Sequence, residues 1–160
     1  YLMRKLKTTS DEIKKAAEMA SEMGALKHSL TEGGGNQAGF LAEIVVARHI
    51  GAKQANTYDY DLIMPDGRTI DVKAKRTSVE PKEHYECSIF AYNTTQACDY
   101  YAFCRVLKDM STVWILGIIK KKDYYSRATK RLKGDYDSSN NFTFKADSYN
   151  MKISDLNPSN

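Results

Sequence analysis

Apolar residues recur with helical spacing at Ile13, Ala16, Ala17, Ala20 and Met23, and Thr9 stands three residues before Glu12, the arrangement in which two side chains cap a helix start reciprocally. A first helix is therefore predicted over 9–26. The pattern breaks over 31–37, where Gly33, Gly34 and Gly35 lie without the Lys-Ser or Lys-Thr pair of a phosphate-binding loop, so this segment reads as a flexible connector. Phe40, Leu41, Ile44, Val45 and Ala47 predict a second helix over 37–50, with Gly51 as its C-terminal stop. Glu43 interrupts that stripe. Three residues after Phe40 and four before Ala47, its carboxylate sits beside the apolar face and needs a partner there.

The period then changes to that of strands. Residues 58–64 and 68–75 flank Pro65-Asp66-Gly67, in which proline sets the first turn dihedral and glycine takes the left-handed one, a hairpin signal. Counting outward from Met64 opposite Arg68 sets Ile63 opposite Thr69, Asp61 opposite Asp71 and Asp59 opposite Lys73. Further strands are predicted over 85–92, 100–107 and 112–119, the last two apolar on both faces, as central strands are. The basic segment after them reads as a helix, 135–141 as a polar loop, and 142–146 with 149–153 as a short hairpin turning at Asp147-Ser148.

Composition and charge narrow the class. At 160 residues, 42% hydrophobic and without a linker, the chain reads as one α/β domain with a mixed central sheet flanked by helices. It divides into an N-terminal helix (1–30), a core (36–133) and a C-terminal hairpin extension (134–160). The longest strongly apolar run, 113–119, is strand-sized, which excludes a helical membrane span. Three cysteines, Cys87, Cys98 and Cys104, match neither a paired zinc site nor a disulfide scaffold, which favours a reducing, cytoplasmic compartment. Residues 1–7 are basic and mixed and lack the apolar run of a secretory signal; a first residue of Tyr1 reads as trimming of the start. Net charge is only +4, but within 120–133 Lys120, Lys121, Lys122, Arg127, Lys130, Arg131 and Lys133 are opposed by Asp123 alone, with Tyr124 and Tyr125 interleaved. Such a cluster suits a phosphate backbone as well as a solvated helix face.

The candidate chemistry lies where hairpin and second helix meet. Side chains alternate along a strand, so Asp71 and Lys73 share one face while Ile70, Val72 and Ala74 share the other, which should face the core. In the register above Asp61 joins Asp71 and Lys73, placing two carboxylates and an ammonium around one small volume, with Glu43 arriving from the helix. Carboxylates set opposite one another repel unless a cation lies between them. Mg2+ is held by one or two carboxylates, waters and substrate phosphate, a set that Asp61 and Asp71 supply. Glu43 would reach a second ion or a metal-bound water, and Lys73 would act on the attacking water or on the charge of the transition state.

At these residues the sequence resembles the PD-(D/E)XK nuclease superfamily, over roughly 39–107. The helix glutamate falls on Glu43, the first acid on Asp61, and the acid and lysine of the (D/E)xK motif on Asp71 and Lys73. Tyr60 stands before Asp61 where the superfamily commonly has proline. The resemblance implies a restriction-endonuclease-like core of helix, three strands, helix and strand (αβββαβ). It also implies Mg2+, or Mn2+ in its place, held by Glu43, Asp61, Asp71 and the Val72 carbonyl, with duplex or branched DNA as substrate and a homodimer. Order and spacing are similar to those of Holliday-junction resolvases and of small phage or restriction-type endonucleases. Lys75, Arg76 and the 120–133 cluster become candidate phosphate contacts, and Tyr124 and Tyr125 the best aromatic ones. The expected activity is metal-dependent endonucleolytic hydrolysis of DNA; the alternatives are a structure-selective resolvase and a non-cleaving DNA-binding protein on the same fold.

Other residues add less. His28, His49 and His84 are too scattered for a zinc triad. Gln96 reads as a loop or cap residue ahead of a polar contribution to the site. Cys98, Cys104 and Trp114 read as core.

Overall fold

The computed structural model describes residues 3–27 and 34–156. Strand β1 (Arg4–Lys7) leads into helix α1 (Ser10–Lys27), whose start carries the expected reciprocal cap: the Thr9 amide donates to Glu12 Oε1 at 3.0 Å and the Glu12 amide to Thr9 Oγ1 at 3.1 Å. Helix α2 (Gly34–Ile50) starts three residues earlier than the apolar spacing implied, taking Gly34 and Gly35 into its first turn; the rest of the expected connector, residues 31–33, and His28 lie outside the described residues. Gly51 ends it with φ +73°, a conformation that glycine takes without Cβ strain, and its amide donates to the Ala47 carbonyl at 2.9 Å. Arg48 of α2 grips Glu12 through Nε at 2.8 Å and holds the two helices together.

Strands β2 (Lys53–Gln54), β3 (Leu62–Ile63), β4 (Thr69–Thr77), β6 (Tyr100–Leu107) and β7 (Thr112–Lys120) build a mixed sheet with β1, in the order β1-β7-β6-β4-β3-β2. Only β4 and β6 run parallel. The apolar strands β6 and β7 both lie in its interior, flanked on each side, as their two-faced hydrophobicity predicted. Helices α1 and α2 cover one face, where Leu41, Val45 and Val46 pack on Ile70, Ala102, Cys104 and Ile115. On the other face, Tyr101, Phe103, Trp114 and Leu116 meet Cys87, Ile89, Met151 and Tyr124. These come from β5 (Glu86–Phe90), helix α3 (Lys121–Arg127) and β11 (Ser148–Lys152); β11 runs between β5 and β8 (Thr129–Arg131) in a three-stranded sheet, and helix α4 (Ile153–Leu156) closes the end. All three cysteines are buried and free.

Several expectations need correction. The basic segment is not one helix: α3 ends at Arg127, and Lys130 and Arg131 lie on β8, paired with Tyr149 and Ser148. The C-terminal hairpin does not form. Phe142–Thr143 (β10) pairs with Tyr136–Asp137 (β9), inside the segment read as a polar loop, while β11 pairs with β5 some sixty positions earlier in the chain. Between β4 and β6 the chain makes β5 and a single 3-10 turn, Ala91–Asn93, rather than a flanking helix. The face of β4 carrying Asp71 and Lys73 is also covered at those two positions, while Lys75 and Arg76 further along the strand are exposed. Among the described residues no helix is long and apolar enough to cross a membrane.

Candidate active site

The hairpin turn forms as its sequence dictates. Gly67 takes φ +93°, its amide donates to the Met64 carbonyl at 2.9 Å, and Ile63 pairs with Thr69. The ladder then stops at Leu62 opposite Ile70. Residues 57–61 leave it because local polar bonds compete: Thr57 Oγ1 accepts the Tyr60 amide at 3.1 Å and donates to the Tyr60 carbonyl at 3.0 Å, after Asn56 has turned the chain with φ +50°. The expected cross-strand pairs Asp61 with Asp71 and Asp59 with Lys73 therefore do not form as ladder pairs. Asp59 instead accepts the Ala97 amide at 3.0 Å.

Asp61 nonetheless reaches the catalytic candidates by another route. From Asp71 onward β3 no longer covers this edge of β4, and the carboxylate of Asp61 takes the strand's place, accepting the Val72 amide through Oδ2 at 2.8 Å. Its own amide donates to the Ile70 carbonyl at 3.0 Å. Asp61 thus continues the sheet with a side chain and is fixed beside Asp71. Glu43 enters from α2, 6% exposed, and Asp71 is 4% exposed. Burial, followed by the charges of Asp61 and Asp71, drives the Glu43 pKa strongly upward. Burial and the Asp61 charge likewise raise Asp71, against the opposing pull of Lys73. Lys73 Nζ stands 2.8 Å from Asp71 Oδ2 as an ion pair, whereas Glu43 Oε2 is a buried oxygen without a hydrogen-bond donor.

Gln96 is the residue that sequence reasoning undervalued. Its Oε1 accepts Lys73 Nζ at 2.9 Å, its Nε2 donates to the Tyr58 carbonyl at 3.0 Å and reaches Asp71 Oδ1 at 3.4 Å, and its carbonyl accepts Lys121 Nζ. One amide side chain thereby links β4 to the loop carrying Asp61, and its backbone links both to α3. The available signal was the polar run around it, with Asp99 holding the start of β4 through Thr69 N and Oγ1 at 2.9 and 3.0 Å. Cys98 lies nearby, but burial pushes its thiol up to about 11, the opposite of the lowered value that activates a thiol.

As they stand, no three His, Cys, Asp or Glu side chains among the described residues are arranged to hold a metal ion. The donor set still fits one. The adjacent carboxylates of Asp61 and Asp71, with a buried Glu43 oxygen left without a donor, offer hard ligands to an ion that takes one or two protein carboxylates and completes its shell with water and phosphate. Two clefts flank the carboxylates. One, of about 420 Å³, is lined by Asn36, Glu43, Thr57, Tyr58 and Asp61; the other, of about 400 Å³, by Lys73, Lys75, Phe103 and Arg105; Gly39 lines both.

The basic candidates divide. Lys75 and Arg76 are exposed on β4, Lys120 and Lys122 are exposed around the start of α3, and Lys121 is drawn into the site by Gln96. Arg127 binds the Asp155 carbonyl, and Lys130 Nζ lies 5.8 Å from the Tyr149 ring centroid. Tyr124 is not a surface contact: it is fully buried, and its one phenolic hydrogen serves the Cys87 and Tyr149 carbonyls at 2.8 and 3.0 Å. Tyr125 is partly buried and shares a 2.9 Å hydrogen bond with Tyr101. Tyr124→Phe should cost about 1–2 kcal/mol, read as a lower urea midpoint; an unchanged midpoint would put the ring on the surface. No protein-family model matches the chain, and no curated protein matches it.

Proposed function

We propose that the protein is a divalent-metal-dependent deoxyribonuclease with a restriction-endonuclease-like core, hydrolysing phosphodiester bonds by attack of water. The observation that carries this reading is the gathering of Glu43, Asp61, Asp71 and Lys73 at the edge of β4 where β3 peels away, with a buried Glu43 oxygen left without a donor. In such a core α2 is the first helix, β2, β3 and β4 the three strands and β6 the fourth, with β5 and a 3-10 turn in place of the second helix.

Mg2+ or Mn2+ would be held by Asp61, Asp71 and the Val72 carbonyl, with Glu43 behind them, and would supply Lewis acidity at the phosphoryl oxygens and a water of lowered pKa. The protein's own groups do the rest. Lys73 places a positive charge beside Asp71, where negative charge grows as a phosphodiester is attacked. Gln96 holds that ammonium in place through Oε1, and the burial of Asp71 and Glu43 keeps bulk water from screening the charges.

The test is the relaxation and linearisation of supercoiled plasmid by the purified chain in Mg2+ and in EDTA. Cleavage in Mg2+ alone supports the proposal; binding without cleavage in either Mg2+ or Mn2+ replaces it with a DNA-binding protein. Gln96→Ala should lower kcat about 10–100-fold with DNA KM unchanged, and should raise the Mg2+ concentration needed for half-maximal rate. A loss confined to KM would move Gln96 from positioning Lys73 to holding substrate.

A further inference from the structure

We infer that Lys75 and Arg105 form a second phosphate site, which grips the substrate strand one phosphate beyond the reacting one. The inference rests on the nuclease reading and specifies how that site holds its substrate.

Lys75 follows Lys73 by two positions on β4, so it lies on the same face and about 6.6 Å further along the strand, a step comparable with that between neighbouring phosphates of an extended nucleic-acid strand. The parallel register places Arg105 of β6 opposite Lys75. Two cations side by side on one sheet face repel, and each loses water to the surrounding protein: desolvation lowers both pKa values, and the Arg105 charge lowers that of Lys75 further. An ordinary structural pair would bring a carboxylate between them. Among the described residues no ion pair reaches either one. The Arg105 guanidinium donates to the Glu86 carbonyl oxygen at 3.2 Å, while the side chains of Glu86 and Asp137 line the neighbouring cavity without forming an ion pair with either cation.

Position argues for a ligand in place of that ion pair. Lys75 and Arg105 line both the cleft that contains Lys73 and a second cavity of about 290 Å³, so they stand where the first cleft passes into the next. Lys75 remains open to solvent and Arg105 partly so, which leaves both within reach of an incoming anion. Tyr85 and Phe142 stand over them, the Arg105 guanidinium 5.5 Å from the Tyr85 ring and the Lys75 ammonium 5.9 Å from the Phe142 ring. The combination of a two-cation anion hole and flanking aromatic faces suits a sugar-phosphate strand that leaves the carboxylate site along β4.

The test is binding of a duplex oligonucleotide in EDTA across a range of salt, with wild type, Lys75→Met/Arg105→Met, and Lys14→Met/Lys15→Met, which removes the same charge from exposed positions of α1. The Lys75 and Arg105 variant should bind at least about tenfold more weakly, and its log-log salt slope should fall by about 0.9 for each cation lost, while the α1 variant stays within about twofold of wild type. Lys75→Arg and Arg105→Lys, which keep the charges, should retain affinity, and thermal melts of all variants should stay near that of wild type. Equal losses in both double variants, or none in either, overturn the site, as would loss of binding only alongside a lowered melting temperature. Because binding is read without metal, a chain that binds this way and never cuts would retain the phosphate site and remove the nuclease reading; one that cuts with unaltered variants would do the reverse.

Discussion

Asp71→Asn is expected to lower metal-dependent plasmid cleavage by about 10³-fold or more while binding DNA as tightly as wild type, or more tightly at low salt. The asparagine keeps the size of the side chain but removes a charge from a cluster in which Glu43, Asp61 and Asp71 face a single ammonium. What disappears is affinity for a divalent ion and the partner of Lys73; what is gained is a less negative floor for phosphate. Lys73→Met should lose a similar factor in rate with a modest loss of affinity, because the removed group acts where charge develops and also attracts the phosphate. Asp61→Asn separates charge from scaffold, since its amide oxygen can still accept the Val72 amide that Asp61 now accepts at 2.8 Å. Single-turnover cleavage with the protein in excess measures all three. Residual activity within about tenfold of wild type in both Asp71→Asn and Lys73→Met would remove these residues from the reaction.

What could be read in the sequence was whatever short-range chemistry controls. The cap of α1, the stop of α2 at Gly51 and the hairpin turn all depend on neighbours within four residues, and all three formed as expected. The register held for as long as the ladder lasted. It failed over 57–61, where Thr57 and Asp59 satisfy backbone groups with side chains, a competition that hydrophobic periodicity does not weigh. The strands missed or mispaired were those defined by distant partners. Arg4–Lys7 holds one apolar residue and is a strand because β7 lies beside it, and β11 finds β5 and β8 in preference to the nearby β10. Tyr124 shows the limit of reading charge clusters: flanked by lysines, it is the one residue of its helix that turns wholly inward. Gln96 carried no motif of its own, and its role follows from a loop brought against β4 by the Asp99 to Thr69 bonds. That Glu43, Asp61, Asp71 and Lys73 come together was legible because a carboxylate beside an apolar stripe, or near another carboxylate, calls for a partner.

That cost gives the second large effect, a stability that falls as pH rises when no metal is present. Glu43 and Asp71 have folded-state pKa values raised above their unfolded ones, chiefly by burial. Above the unfolded carboxylate pKa, the folded chain therefore binds more protons than the unfolded one, and the slope of unfolding free energy with pH is negative. The favourable contribution is fully present below the unfolded pKa and is lost progressively as pH climbs towards the folded values. In EDTA the wild type should be less stable at about pH 8 than at about pH 5 by an amount on the order of 2 kcal/mol. Glu43→Gln should flatten that dependence and melt higher than wild type near pH 8, because a neutral amide replaces a carboxyl group that must take up a proton to fold. Mg2+ should restore stability most where the cluster is most ionised, so its stabilisation should grow with pH and shrink in Glu43→Gln. Thermal unfolding of both proteins in EDTA and in Mg2+ across this pH range measures each part. A wild type whose metal-free stability rises through the interval would mean that the carboxylates are solvated and apart, and would take the buried acidic cluster with it.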